Sequence, residues 1–446
     1  MNVFNAQARS FNVNFDILAI LLAFLNPTSL VAAMGTCRSL YIVGVRHLVR
    51  DIRITTSDAL ASFYTFVALS DATRLRHIHA FDFAVERPSD DDLDILFDLL
   101  SRTNHLTSLA ISSPGVLEAE EGLGKLIARI PTLKRFSISV PVWLAALQDI
   151  LDKMEAPLES LDVADVHLSK TRQLTTFIEP TDIPLGMAWG LQELAISLRM
   201  FDKKTPSAMF PGVRKLTLYG CDSMPLCAIV RLFPAVRELY LRFSNFWTET
   251  ETPEDHIRRR DAEKMRQWSL DQPDRVLWSE LDVLEGPGHI LYAWAVTLPV
   301  RAVRITDEAN DPAIAVDTKP LSLRLNTDVG DIVSARHNPS LRELTVDVAV
   351  GYFVTAPVLR GFTAHIFDML QDTGLVALRV LITQRPSTPS EDANNSEQGL
   401  TQFLSCHDFN IAATAESGSS LVPSLRALRV TVESQSDDSL VFVWAV

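Results

Sequence analysis

The phrase Leu-x-x-Leu-x-Leu, with conservative replacements, returns along this 446-residue chain, and no other feature limits its fold so strongly. It stands at Leu106, Leu109, Ile111; Leu133, Phe136, Ile138; Leu158, Leu161, Val163; Leu191, Leu194, Ile196; Val213, Leu216, Leu218; and Val236, Leu239, Leu241. It recurs at Val300, Val303, Ile305; Leu341, Leu344, Val346; Leu375, Leu378, Val380; and Leu425, Leu428, Val430. The last two apolar residues of each phrase are two apart, the period of a strand, so both point to one face while their neighbours point to the other. Each phrase therefore predicts a short strand with one buried face.

Between phrases the period becomes that of a helix. Leu123, Leu126, Ile127, Ile130 and Leu226, Ile229, Val230, Phe233 follow i, i+3, i+4, i+7, and Pro131 and Pro234 come directly after them. Leu93, Leu96, Phe97, Leu100 repeat the pattern behind Ser89, which can cap, and Asp90, Asp91 and Asp92, which complement the helix dipole. Pro131, Pro211, Pro234, Pro339 and Pro423 each stand two positions before a phrase, where proline stops a helix and turns the chain toward a strand. A recurrence of about 20 to 34 residues is the range of leucine-rich repeats, which predicts an α/β solenoid: a curved parallel sheet with outer helices. A doubly wound sheet also alternates helix and strand, but its strands are continuous apolar runs with no need of a proline-spaced phrase. The array is assigned to residues 55–446. It holds a charged insertion at 248–280, read as an exposed helix capped by Thr252 with Pro253 first, and a Pro- and Ser-rich disordered loop at 385–400.

A hydrophobic content of 47% allows a large core, and a formal net charge of −14 argues against a nucleic-acid partner, whose affinity comes from Lys and Arg. Cys37, Cys221, Cys227 and Cys406 have no metal-site spacing and read as buried small hydrophobes in a reducing compartment. Phe15 to Leu25 is apolar but too short to span a membrane, and it lacks the features of a signal peptide. No membrane partner is expected.

No constellation for catalysis stands out. Gly122-Leu123-Gly124-Lys125 lacks both the upstream glycine and the Ser or Thr of a phosphate loop. Cys406-His407 are adjacent in sequence, which does not aim one at the other, and Arg258-Arg259-Arg260 is balanced by neighbouring acids. The reading is of a non-enzyme with no cofactor and no metal. If the phrase leucines face inward, Lys215, Thr217, Tyr219, Glu238, Tyr240 and Arg242 share the open face of the sheet, and Tyr and Arg are the residue types enriched where proteins bind one another. Lys215, Tyr219, Glu238, Tyr240 and Arg242 are the candidate target contacts. Their bland alternative is ordinary sheet surface in which they stack on one another.

Residues 13–54 do not carry the phrase. They predict an apolar helix from about Asn14, a turn at Asn26-Pro27, a second short helix, a break near Gly35 and a third helix from near Cys37. Asp16-Ile17-Leu18, Leu21, Phe24-Leu25, Pro27, Leu30 and Cys37-Arg38-Ser39-Leu40 resemble the F-box, in particular that of fungal proteins with an F-box ahead of irregular leucine-rich repeats. His47 to Ile54 and the charged insertion resemble further features of those proteins. Val13-Asn14 stands where the family has Leu-Pro, and Thr36 where it has an apolar residue. The resemblance implies the substrate-recognition subunit of a Skp/cullin/F-box ubiquitin ligase, cytoplasmic or nuclear. Val13, Asp16, Leu18, Leu21, Phe24, Leu25, Pro27 and Leu30 would dock on a Skp-type adaptor, and through it a cullin, while the repeats hold a target protein. The alternative is an interaction scaffold whose N-terminal helices merely cap the solenoid.

Overall fold

The computed structural model describes residues 15–69, 72–113, 115–119, 121–138, 142–163, 166–167, 183–197, 210–219, 226–242, 263–271, 278–306, 314, 317–326, 338–350, 356–371, 373–384, 410–433 and 439–445. They fall into two compact units, Met1–Leu191 and Gln192–Val446.

The first unit opens with three helices, α1 (Phe15–Ala23), α2 (Pro27–Met34) and α3 (Arg38–Leu48), which lead into β1 (Asp51–Ile54). After α4 (Ser57–Tyr64) come β2 (Ala80–Phe83), α5 (Asp90–Arg102), β3 (Ser108–Ile111) and β4 (Arg135–Ile138); β5 (Val142–Trp143) and β6 (Ser160–Val163) follow, then β7 (Val166–His167). Strands β1, β2, β3, β4 and β6 pair in that order, all parallel. Ile52, Phe81, Leu109, Phe136 and Leu161 form one row across them, and Ile54, Phe83, Ile111, Ile138 and Val163 the next. Because a slip of one residue would turn every apolar side chain outward, the repeated phrase sets this register.

The second unit carries β8 (Glu193–Ser197), β9 (Lys215–Tyr219), β10 (Glu238–Arg242), β11 (Leu281–Gly286), β12 (Val300–Ile305) and β13 (Ser322–Asn326). Then come β14 (Glu343–Val350), β15 (Ala377–Gln384), β16 (Ala427–Glu433) and β17 (Ser439–Ala445). Consecutive strands pair in parallel, except that β17 turns back antiparallel along β16. Helices intervene at Leu226–Leu232, Gly288–Trp294, Ala356–Met369 and Ile411–Leu421.

All three apolar residues of every phrase are buried, so the strand expectation holds throughout. The predicted prolines stand in the turns that enter β4, β9, β10, β14 and β16. One backbone carbonyl of the preceding strand segment then accepts the first two N–H groups of the next. Thr107 O takes Lys134 N and Arg135 N at 2.8 and 3.0 Å, and Val376 O takes Arg426 N and Ala427 N at 2.8 and 3.1 Å. The hydroxyl beside the proline adds a further tie: Thr132 Oγ1 donates to Leu106 O at 2.8 Å and Ser424 Oγ to Leu375 O at 2.7 Å.

Several expectations need correction. Strands β1, β2, β11 and β13 are additional; β1 keeps the regular spacing Val49, Ile52, Ile54, whereas the other phrases are irregular: Ile78, Phe81, Phe83 is aromatic, Gly286 ends one and Pro320 begins another. Phe97 is half exposed and Leu99 is buried in its place, since α5 presents a slightly rotated stripe. Of the insertion at 248–280, residues 263–271 form a helix, while Thr252 and Pro253 lie outside the described residues. That helix is largely exposed, as the sequence implies, but it is anchored along one side. Arg266 stands over the Tyr292 ring, donates to Tyr292 O at 3.0 Å and lies 2.8 Å from Asp317, and Ser269 Oγ donates to Ala293 O. Cys37 is exposed and Cys227 half-buried, which corrects the buried reading for both; Cys221 and Cys406 lie outside the described residues. So do the loop at 385–400, His407 and Arg258 to Arg260.

Gly122 to Lys125 sit within the helix Glu121–Ala128, a conformation that cannot wrap a phosphate as a loop does. Among the described residues no helix is long and apolar enough to cross a membrane.

Candidate functional site

Helix α1 reads FDILAILLA, apolar almost all the way round. A helix of that kind belongs inside a core, yet only part of it is covered. Leu22 is 4% exposed and Leu18 half-buried, whereas Ile17, Ile20, Leu21 and Phe24, at i, i+3, i+4 and i+7, are 51%, 60%, 56% and 82% exposed. These four lie along one helical face. Leu25 follows, also exposed, as are Val31 on α2 and Tyr41 and Ile42 on α3.

The turn after α1 is fixed by its sequence. Asn26 caps α2 by accepting Ser29 N on Oδ1 at 2.8 Å, and Pro27 occupies the first helical position, where its missing N–H costs nothing. Helices α2 and α3 then meet at Gly44, where an added Cβ would stand 2.3 Å from Met34 Cγ and 3.5 Å from Leu30 Cδ1. Leu30 and Met34 are buried there. Among the expected adaptor contacts, the structure thus leaves Leu21, Phe24, Leu25 and Pro27 exposed and Leu18 half-buried. Leu30 differs from the others: its side chain is buried in the α2/α3 core, beside Met34 and Gly44. Val13 and the side chain of Asp16 lie outside what is described.

The second candidate lies on the open face of β9 to β12. Tyr240 is its centre: its hydroxyl donates to Glu238 Oε2 at 2.9 Å, and Lys215 and Arg242 stand 5.7 and 5.8 Å from its ring centroid. Burial, the hydrogen bond to Glu238 and that carboxylate's charge push the Tyr240 phenol up to about 12. Two further residues complete the cluster. Glu285 on β11, nearly buried, accepts Arg242 on one oxygen at 2.7 Å and Arg304 on the other at 3.1 Å. Sequence reasoning missed Glu285 because β11 ends in Gly286, which hides its place in the repeat, and without Glu285 nothing ties Arg304 on β12 to Tyr240; pairing Tyr240 with Glu285 in register reveals the link. Tyr219 shares this face, opposite Arg242.

The cluster is thus saturated by its own contacts, the ordinary sheet surface weighed as the alternative. Neither candidate brings together a nucleophile and a base. No group of His, Cys, Asp and Glu among the described residues could hold a metal ion. No family model matches the chain, and no curated protein matches it.

Proposed function

We propose that this chain is the substrate-recognition subunit of a Skp/cullin/F-box ubiquitin ligase, with α1 and the α1/α2 turn docking on a Skp-type adaptor. The observation that supports the reading is the exposed stripe Ile17, Ile20, Leu21, Phe24, continued by Leu25. Leu22 and Leu30 already supply the internal packing of these helices, so the outer stripe is surplus to folding. Covering each such side chain is worth ~1.5–3 kcal/mol, and an uncovered face of this kind marks an interaction site.

In this reading the repeats form a leucine-rich-repeat-like solenoid that holds a target protein, a role supported by the unbroken strand register within each unit. Such a subunit works without an active site in the cytoplasm or nucleus. It raises the effective concentration of target lysines near a ubiquitin-charged enzyme held elsewhere in the assembly. The alternative, a scaffold whose helices only cap the repeats, draws on α3, which runs directly into β1.

The two part on one experiment. The full chain is co-precipitated with purified Skp-type adaptor, beside a Leu21→Asp, Leu25→Asp variant checked for fold by circular dichroism. Retention by wild type and loss in the folded variant support the ligase reading; failure of wild type to bind leaves the scaffold.

A further inference from the structure

The register of the second unit aligns Arg304, Arg324, Thr345, Arg379 and Arg429 in a single row across β12 to β16. Each lies between two buried apolar residues, so all five side chains share the open face. The row lines a concavity of about 490 Å³ whose wall also includes Ser322, Glu343, Asp347 and Thr431.

The arginines are not equally neutralised. Glu285 serves Arg304 at 3.1 Å, and Asp347 serves Arg324 at 2.5 Å. Arg379 and Arg429 have neither an ion pair nor a hydrogen bond among the described residues, and both are exposed. They face each other on adjacent strands, whose backbones run roughly 4.8 Å apart. Like charges directly opposite one another in a sheet repel. A chain of net charge −14 thus keeps two guanidinium groups side by side in a concavity, where a bound anion would relieve their repulsion. Guanidinium forks match carboxylate and phosphoryl oxygens two at a time.

The length of the row indicates more than a point anion. From Arg304 to Arg429 it crosses four strand spacings, roughly 19 Å, the span of about six extended residues. Glu343 and Asp347 in the same concavity oppose a continuous polyanion such as nucleic acid. A peptide can set neutral residues over these acids and acidic ones over the arginines. Beyond Arg429 the row ends on Val443 of β17, an exposed apolar side chain.

We propose that this face of β12 to β16 binds an extended peptide bearing carboxylate or phosphoryl side chains, with Arg379 and Arg429 as its principal contacts. That such a peptide belongs to a ubiquitination target rests on the preceding reading; the binding itself does not. The test is fluorescence anisotropy of the full chain, without adaptor, against three labelled peptides carrying Glu, phosphoserine or serine at alternate positions.

At least one of the two anionic peptides is expected to bind, more weakly as salt rises, while the serine peptide does not; the tighter of the two identifies the source of the charge. Arg379→Gln with Arg429→Gln should weaken binding about tenfold or more. Lys125→Gln with Arg129→Gln, an equal change of charge on the first unit, should leave it unchanged. The proposal is overturned if no anionic peptide binds, if the serine peptide binds equally, or if the two double variants behave alike. It is also overturned if inorganic phosphate displaces the peptide as effectively, mole for mole, as unlabelled peptide does. Adaptor co-precipitation of the Arg379→Gln, Arg429→Gln variant, expected to be unchanged, keeps failure here separate from failure of the docking reading.

Discussion

Gly286 lies against Leu241 so closely that a Cβ built on the glycine would stand 2.8 Å from the Cβ of the leucine. The neighbouring position on β12 holds Ile305, and the equivalent positions elsewhere hold Leu, Ile, Val or, on β2, Phe83. Glycine is required at this one place because β10 and β11 leave no room for a second side chain. The obstructing atom is attached directly to the backbone, so rotamer changes cannot relieve it. Gly286→Ala is expected to lower stability by about 1–3 kcal/mol, read from the urea midpoint at unchanged slope. Adding Leu241→Ala to Gly286→Ala should cost less than the sum of the two single changes. Strict additivity would show that the two residues do not share this space.

Asp92 is buried at the start of α5, where one carboxylate oxygen accepts Ser89 N, Ser89 Oγ and Ser57 Oγ at 2.9, 2.9 and 2.8 Å. Burial alone would raise its pKa, but these hydrogen bonds to the charged form outweigh it and hold the group below its ordinary value. A lowered folded-state pKa means that the stabilisation is complete above the unfolded value, about pH 4, and fades as pH falls through the folded one. Asp92→Asn should cost about 1 kcal/mol at neutral pH, and the gap from wild type should close in acid. A gap that persists unchanged below both values would assign the loss to packing and not to ionisation.

What could be read from the chain before its structure follows from which interactions repeat. A strand that pairs one to one with its neighbours shows its register in every phrase, so Leu216, Leu239, Val303 and Leu344 were recognisable as core without coordinates. Strands β2, β11 and β13 were hidden because Phe81 and Phe83, Gly286 and Pro320 satisfy the same geometry with different chemistry. The arginine row left a trace in sequence, an Arg between the last two apolar residues at Val303-Arg304-Ile305, Leu378-Arg379-Val380 and Leu428-Arg429-Val430. It carried no meaning until Glu285 and Asp347 were seen to neutralise some members and not others. The anchoring of residues 263–271 through Arg266 depends on Asp317 and Tyr292, far along the chain, and no local pattern reports it. The burial of Leu30 is not legible in sequence, because a motif spacing does not say which side of α2 meets Gly44.

Tyr240 offers an alkaline counterpart to Asp92. Its phenol ionises at about 12, first because it is partly buried and then because it donates to Glu238. A raised folded-state pKa leaves the contribution complete below the unfolded value, about 10, and removes it as pH climbs through the folded one. Tyr240→Phe is therefore expected to flatten the loss of stability between about pH 10 and 12. Glu238→Gln should move the highest tyrosinate absorbance step to lower pH. If Tyr240→Phe leaves the alkaline stability curve unaltered and the absorbance it removes belongs to a step near pH 10, the Tyr240–Glu238 contact is not formed in solution.

Leu22 and Phe24 allow the folding of α1 to be tested apart from its proposed docking. Leu22 is 4% exposed and packs inward, whereas Phe24, two residues on, is 82% exposed. Removing buried methyl and methylene groups costs both their transfer free energy and the cavity left behind, so Leu22→Ala should lower the free energy of unfolding by about 2–5 kcal/mol. Phe24→Ala removes a larger side chain yet should change stability by no more than about 0.5 kcal/mol, because water already covers most of that ring in the isolated chain. On the proposed docking the order reverses once the adaptor is present. With a Skp-type adaptor bound, Phe24→Ala should weaken association about tenfold or more, as expected of an aromatic anchor, while Leu22→Ala acts only through folding. Urea titrations of both variants, free and with adaptor, read the two effects separately. A Phe24→Ala variant that unfolds as readily as Leu22→Ala would place the aromatic ring in the fold itself, and α1 would then be a cap with no surface to offer.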